Sequence, residues 1–275
     1  MEISRVQALS QRIVQPYAWG DAVWHVWGSD HVSAHKTPLV LLHGGSGSWT
    51  HWLRNVEHFS QYRQVWALDI PGFGDSSLPA GVTDADGLVP YIRDIFEKTF
   101  HADAVDVVGF SFGGMLAGLV AANHPSRIKQ LILVGVPGLG LFSKELPMRG
   151  MTANMDVAAQ RDVHRHNLNA MMLHQPQSVT EAVIDLQQAN VSRDRLRRRR
   201  IARTDVLVKV QSRWTCPVHG VWGEQDALYT NTLSQVPNVL TSMTTFTRVP
   251  HAGHWVMFEQ AKAFHEVVDA WLKPQ

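Results

Sequence analysis

The sequence predicts an α/β fold: a mostly parallel, twisted sheet with helices on both faces and an inserted helical cap. Three observations carry this. Short runs rich in Val, Leu and Ile recur without polar alternation, as strands buried on both faces do. Helix-like stretches separate most of them, the repeated βα order of a parallel sheet. One interval of about 75 residues then lacks any convincing buried strand, against about two to six residues in an ordinary connection. With 275 residues, 45% hydrophobic and only 18% charged, the chain can build a sizeable core, which excludes overall disorder. A formal net charge of +1 gives no electrostatic reason to expect nucleic acid or an acidic membrane surface as a partner.

In chain order, "AVWHVWG" (Ala22 to Gly28) alternates and reads as part of an antiparallel hairpin added at one edge of the sheet. The buried strands follow in "PLVLLHGG" from Pro38, "RQVWALDIPGFG" from Arg63, "AVDVVGFSFGG" from Ala104, "QLILVGVPG" from Gln130 and "PVHGVWGEQD" from Pro217. Each stops at glycine, proline or aspartate. Leu88 to Thr99 and Met115 to Asn123 read as helices between them. The strandless interval, rich in methionine and histidine, is expected to be a helical cap over residues 139–213, inserted into a core formed by 1–138 and 214–275. It contains "RDRLRRRRIAR" (Arg193 to Arg203), read as a solvated helix face, or as the source of one inward arginine that pairs with a substrate carboxylate. The N-terminal stretch lacks a signal-like apolar core, no run of 18 apolar residues occurs, and the single cysteine, Cys216, cannot form an internal disulfide. A cytoplasmic, membrane-free protein is expected. Cys216 reads as packed at a strand start rather than reactive.

The chemistry centres on "DVVGFSFGGMLAG", where Gly109, Gly113 and Gly114 surround Ser111. Glycines are needed where a strand turns sharply into a helix and the two backbones touch. The motif alone also fits a helix-capping serine, so the rest of the chain has to decide. A serine hydroxyl needs a base to take its proton, and the base needs a carboxylate to orient it. Glu224 and Asp226 follow one strand in "GEQDAL", and His251 and His254 follow the next in "HAGHWVMFEQ". "HGGSGS" (His43 to Ser48) is a loop able to aim backbone N–H groups, and it lacks the lysine of a nucleotide loop. Asp69 and Asp75 in "DIPGFGD" read as turn residues. No histidine cluster has the spacing of a zinc site, so neither a metal nor a cofactor is expected.

Taken in order, "VLLHGGSGSW", "ALDIPGFGDSS", "VVGFSFGG", "VWGEQDAL" and "HAGHWVMFEQ" resemble the α/β-hydrolase superfamily over nearly the whole chain. The resemblance implies Ser111 as nucleophile, His254 rather than His251 as general base, and Asp226 rather than Glu224 as the acid that orients it. It also implies an oxyanion hole from the amides of Gly45 and Phe112, with His43 supporting that loop. "LVGVPGLG" offers no carboxylate at the other place where relatives carry the acid, which favours Asp226. The expected reaction is cleavage of a small, largely apolar ester or lactone through an acyl-enzyme, with Trp49, Trp52, Phe110, Phe112 and the cap methionines furnishing the apolar wall. The alternatives are carbon–carbon cleavage of a carboxylated diketone from aromatic-ring fission, and a catalytically slow ligand receptor on the same fold. Phe110 stands where the carbon–carbon enzymes carry asparagine, and dehalogenases and epoxide hydrolases carry aspartate where Ser111 stands. The sequence does not specify oligomeric state.

Overall fold

Eight strands form one sheet in the order β1-β2-β4-β3-β5-β6-β7-β8 in a computed structural model that describes residues 2–30, 36–141, 146–152, 154–196 and 198–272. They are β1 (Gln11–Tyr17), β2 (Gly20–Trp27), β3 (Leu39–Leu42), β4 (Val65–Asp69), β5 (Val105–Phe110), β6 (Ile128–Val134), β7 (Val218–Gly223) and β8 (Thr245–Val249). All pairings from β4 to β8 are parallel; β1 and β2 form an antiparallel hairpin, and β2 pairs antiparallel with β4.

The unbroken apolar runs have a direct cause. On β6, Leu131 and Leu133 enter one core cluster while Ile132 and Val134 enter the other, on the opposite face. Both faces are therefore dry, and each such side chain contributes about 1.5–3 kcal/mol of burial free energy. The hairpin differs in one respect from the sequence expectation. β1 is the edge strand and alternates between exposed and half-buried residues, but β2 lies between β1 and β4 and is buried from Ala22 to Trp27. Its alternation was chemical, not a sign of a wet face: His25 is 1% exposed.

Helices cover both faces. Val89–Phe100 begins at a proline-bearing first turn and buries Val89, Ile92, Ile95, Phe96 and Phe100, a 3.6-period stripe. Phe112–Asn123 is buried from Phe112 to Ala122, so it carries no polar side. On the other face Ala261–Leu272 buries Phe264, Val268 and Leu272. Between β6 and β7 the described residues hold helices and no strand: Val157–Asn167, Glu181–Ser192 and Val206–Val210, with a π-helical turn at Leu168–Met172. Asp156 and Thr180 cap the first two, and Arg161 joins them by ion pairs to Glu181 and Asp185. Among the described residues no helix is long and apolar enough to cross a membrane.

Candidate active site

Ser111 stands between the end of β5 and the first residue of helix Phe112–Asn123, with φ +48° and ψ −119°. A side chain in this region costs on the order of 1–3 kcal/mol, so the surroundings must impose it. They do so by contact of bare backbone. A Cβ on Gly109 would collide with Gly114, one on Gly113 with the carbonyls of Leu42 and His43, and one on Gly114 with Gly109 and Val136. The Ser111 amide donates to the Val134 carbonyl at 2.7 Å, which ties the turn to the neighbouring strand.

Two later loops meet this serine. His254 Nε2 lies 2.9 Å from Ser111 Oγ, and His254 Nδ1 lies 2.8 Å from Asp226 Oδ2. Both partners of the serine are buried, His254 at 2% and Asp226 at 1% exposure. With Asp226 accepting from Nδ1–H, Nε2 is left bare to accept from the serine hydroxyl. Asp226 Oδ1 is itself fixed by the Leu228 amide at 3.0 Å. The rivals stay outside: Glu224 and His251 are exposed, and His251 contributes its carbonyl to Gln175 and Gln260.

The loop from His43 to Ser48 is held by two histidines. The Ile70 amide donates to His43 Nε2 at 3.0 Å, so the ring proton sits on Nδ1 and is donated to the Gly44 carbonyl at 2.8 Å. That carbonyl belongs to the same planar peptide as the Gly45 N–H, so His43 fixes the direction of the Gly45 donor. The Gly44 amide donates in turn to His51 Nδ1 at 3.2 Å. Burial holds the His43 ring neutral, pulling its pKa to about 3, and pushes His51 in the same direction.

The sequence profile of the alpha/beta hydrolase family matches residues 39–267, which span every element that builds this site. The chain belongs to the alpha/beta hydrolase family. Among curated relatives, 1-acylglycerol-3-phosphate O-acyltransferase ABHD5 of Rattus norvegicus is 37% identical over 118 residues, 42% of this chain and 33% of that protein. This chain thus matches about a third of the length of that relative. The 2-hydroxy-6-oxo-2,4-heptadienoate hydrolase of Pseudomonas putida is 27% identical over 252 residues, 86% of this chain and 88% of that one. A carboxylesterase of Bacillus subtilis superposes with a TM-score of 0.76 at 17% identity, covering 99% and 96% of the two chains, a likeness of fold.

In this alpha/beta hydrolase, Gly45, Phe112, Ser111 and His254 border one cavity of about 250 Å³, walled further by Met171 and Met172 of the π-helical turn. Phe110 also lines it, whereas Trp49 and Trp52 lie in the core beneath. The arginine run is solvated at Arg195, Arg198, Arg200 and Arg203, but it is helical only in a 3-10 turn at Arg200–Arg203. Helix Glu181–Ser192 ends before it, and its side chains reach core loops: Arg193 to Asp75, Arg195 to the carbonyls of Phe73, Gly74 and Ser76, Arg200 to Asp84. Arg199 and Arg203 line the cavity, and Arg197 lies outside the described residues.

Sequence reading missed His51 and Glu259. The Glu259 carboxylate accepts from the amides of Gly253, His174 and Gln175, joining the His254 loop to the end of the π-helical turn. Neither residue has a motif of its own, because both act on backbone brought close only by the fold. Asp69 does what a turn residue should, accepting from the amides of Trp49 and Asp75. Ligand atoms of His25, Asp69 and Asp75 also lie within 4.8 Å of one another. Arg12 and Arg193 already pair with Asp75, so two guanidiniums balance the two carboxylates and little charge remains for a cation to neutralise. Cys216 is half-buried against the core, where desolvation raises its pKa.

Proposed function

We propose that the protein is a serine hydrolase that cleaves a small, largely apolar carboxylic ester or lactone. The observation that carries this is the buried Ser111–His254–Asp226 chain, with links of 2.9 and 2.8 Å, ending on a serine in a strained turn. His254 Nε2 takes the hydroxyl proton as Ser111 Oγ attacks the carbonyl carbon, and Asp226 stabilises the imidazolium. The oxygen that gains the negative charge is received by the Gly45 and Phe112 amides, the latter at a helix N-terminus. His254 then passes its proton to the departing alkoxide, leaving an acyl group on Ser111. Water, deprotonated by the same nitrogen, attacks that ester and returns Ser111 to its hydroxyl form.

The segment 139–213 serves as a cap over this site in the reading proposed here, with Met171 and Met172 supplying its apolar side. A cavity of about 250 Å³, below the roughly 300–1,000 Å³ usual for small-molecule sites, suits a short acyl group. The test is incubation with a fluorophosphonate and turnover of short p-nitrophenyl esters. Ser111 is labelled, and Ser111→Ala lowers kcat by at least about 10⁴-fold. An unlabelled Ser111, or ester turnover that survives the substitution, overturns the reading and leaves the ligand receptor in its place.

A second reading has its own observation. Arg203 stands at the cavity beside Arg199, whose guanidinium already pairs with Asp194, and a guanidinium fork suits a carboxylate. Together with the dienoate hydrolase relative, this supports carbon–carbon cleavage of a carboxylated diketone. Turnover of such an acid above that of neutral esters, lost in Arg203→Ala with ester turnover kept, would select it.

A further inference from the structure

The chain leaving helix Glu181–Ser192 crosses the loop that carries Gly45, and its contacts there are specific. Ser46 is a non-glycine residue with φ +51°. Its hydroxyl donates to Asp194 Oδ2 at 2.6 Å, and the same carboxylate receives Arg199 Nη2. Asp194 Oδ1 accepts from the Leu196 amide at 3.1 Å, so the carboxylate cannot swing freely. The Arg199 side chain lies along the loop: a Cβ on Gly45 would sit 3.4 Å from its Nε, and its guanidinium stands over the rings of Phe73 and Phe112, 5.2 and 5.5 Å from their centroids. Two residues on, Ser48 Oγ donates to Asn190 Oδ1 at 2.8 Å, a second tie to the same helix end.

We propose that Asp194 is a positioning residue for the site: through Ser46 and Arg199 it holds the Gly45 amide in the direction needed to receive a developing oxyanion. The inference rests on the serine hydrolase reading. His43 fixes the peptide on the N-terminal side of Gly45; Ser46, kept in a left-handed conformation by Asp194, fixes the C-terminal side. With the tether cut, Ser46 is free to relax toward negative φ, and Gly45 then turns about its own dihedral angles. Loss of one oxyanion donor typically costs about 100- to 1000-fold in rate, so a donor present but misaimed should cost about 10- to 100-fold.

The test uses the full chain with Ser46→Ala, Asp194→Ala and the double variant. Each single change lowers kcat for a p-nitrophenyl ester about 10- to 100-fold at nearly constant KM. The double is little worse than the worse single, since both cut one tether. Affinity for an aryl boronic acid, which forms a tetrahedral adduct on the serine, falls by the same factor as kcat. Hydrogen exchange of the peptide covering 43–48 quickens while that of β5 does not. Ser46→Ala removes one oxygen only and keeps the proposal testable should Asp194→Ala fail to fold. Unchanged kcat and boronate affinity in a folded variant overturn the proposal, as does a lowered Tm with both values kept. A wild-type chain whose Ser111 resists fluorophosphonate overturns the hydrolase reading and this inference with it; a labelled wild type with unmoved variants overturns this inference alone.

Discussion

Gly135 shows how little tolerance surrounds the Ser111–His254–Asp226 chain to which the proposed function assigns the chemistry. It has φ +56°, and a Cβ there would stand 3.2 Å from both Asp226 Oδ2 and the His254 ring. Gly135→Ala therefore meets a conformational penalty and a crowded acid–base pair together. The expected result is a fall in kcat of at least about tenfold, from a shift of well under 1 Å between His254 and Ser111, with a lowered Tm. Steady-state kinetics and a melting curve on the variant check both. At this scale the sequence was informative wherever a residue type has few uses. Ser111 between glycines, an acid after one strand and a histidine after the next were legible because the chemistry demands those types in that order. His51 and Glu259 were not, because a histidine accepting one amide and a glutamate accepting three look like any others until the backbone they serve is in place.

Elements divide the same way. The central strands were readable because both faces of the sheet are covered, so the runs are apolar throughout and end in turn residues. The Arg193 to Arg203 run was legible as a solvated stretch, but not as a set of ties: Arg193, Arg195 and Arg200 reach loop carbonyls and carboxylates more than 100 residues away, while Arg199 pairs with nearby Asp194. No local periodicity records such contacts. The π-helical turn at Leu168–Met172 was equally hidden. It matters because the Met172 carbonyl receives the Trp255 amide at 2.8 Å, beside Glu259 holding Gly253. Glu259→Gln keeps the size of that clamp but replaces one acceptor oxygen by a donor that faces amide N–H groups. A partly buried amide without its partner costs up to about 1–3 kcal/mol. The variant should lose stability by about that amount in urea unfolding and lose kcat more than KM, since the clamp governs the loop of His254; unaltered unfolding would reject the assignment.

Over the whole molecule, buried neutral histidines set the acid response. Burial pulls His25 and His265 to about 4 and His43 to about 3, and lowers His51 as well. In the unfolded chain each regains a pKa near 6.5. Below that value the unfolded state binds more protons than the native one, so stability rises with pH across the window from about 4 to 6.5 and is lost as pH falls through it. Fully buried His43 and His51 each contribute up to about 1.4 kcal/mol per pH unit there, and the less buried His25 and His265 contribute less because solvent screens them. Asp69 acts oppositely, because burial raises it to about 6 and its protonated form favours the folded state in the same window. Burial raises Asp106 in the same direction, and two carboxyls do not offset four histidines. The urea midpoint should therefore drop steeply between pH 6.5 and 4.5, and a flat profile would count against the buried, neutral rings.

On the proposed function, the sheet order also fixes when a newly made chain becomes competent. Ser111 is in place once β5 and β6 pair, but Asp226 and His254 follow β7 and β8, the last two strands among the described residues and the outermost on that side. The partners in the serine–histidine hydrogen bond are 143 residues apart. During synthesis the turn that strains Ser111 can form while its base is still unmade or inside the ribosome, so an immature chain carries an unactivated hydroxyl. If the proposed function holds, reactivity is switched on by completion of the fold, and a fragment ending before β8 is expected to be inert.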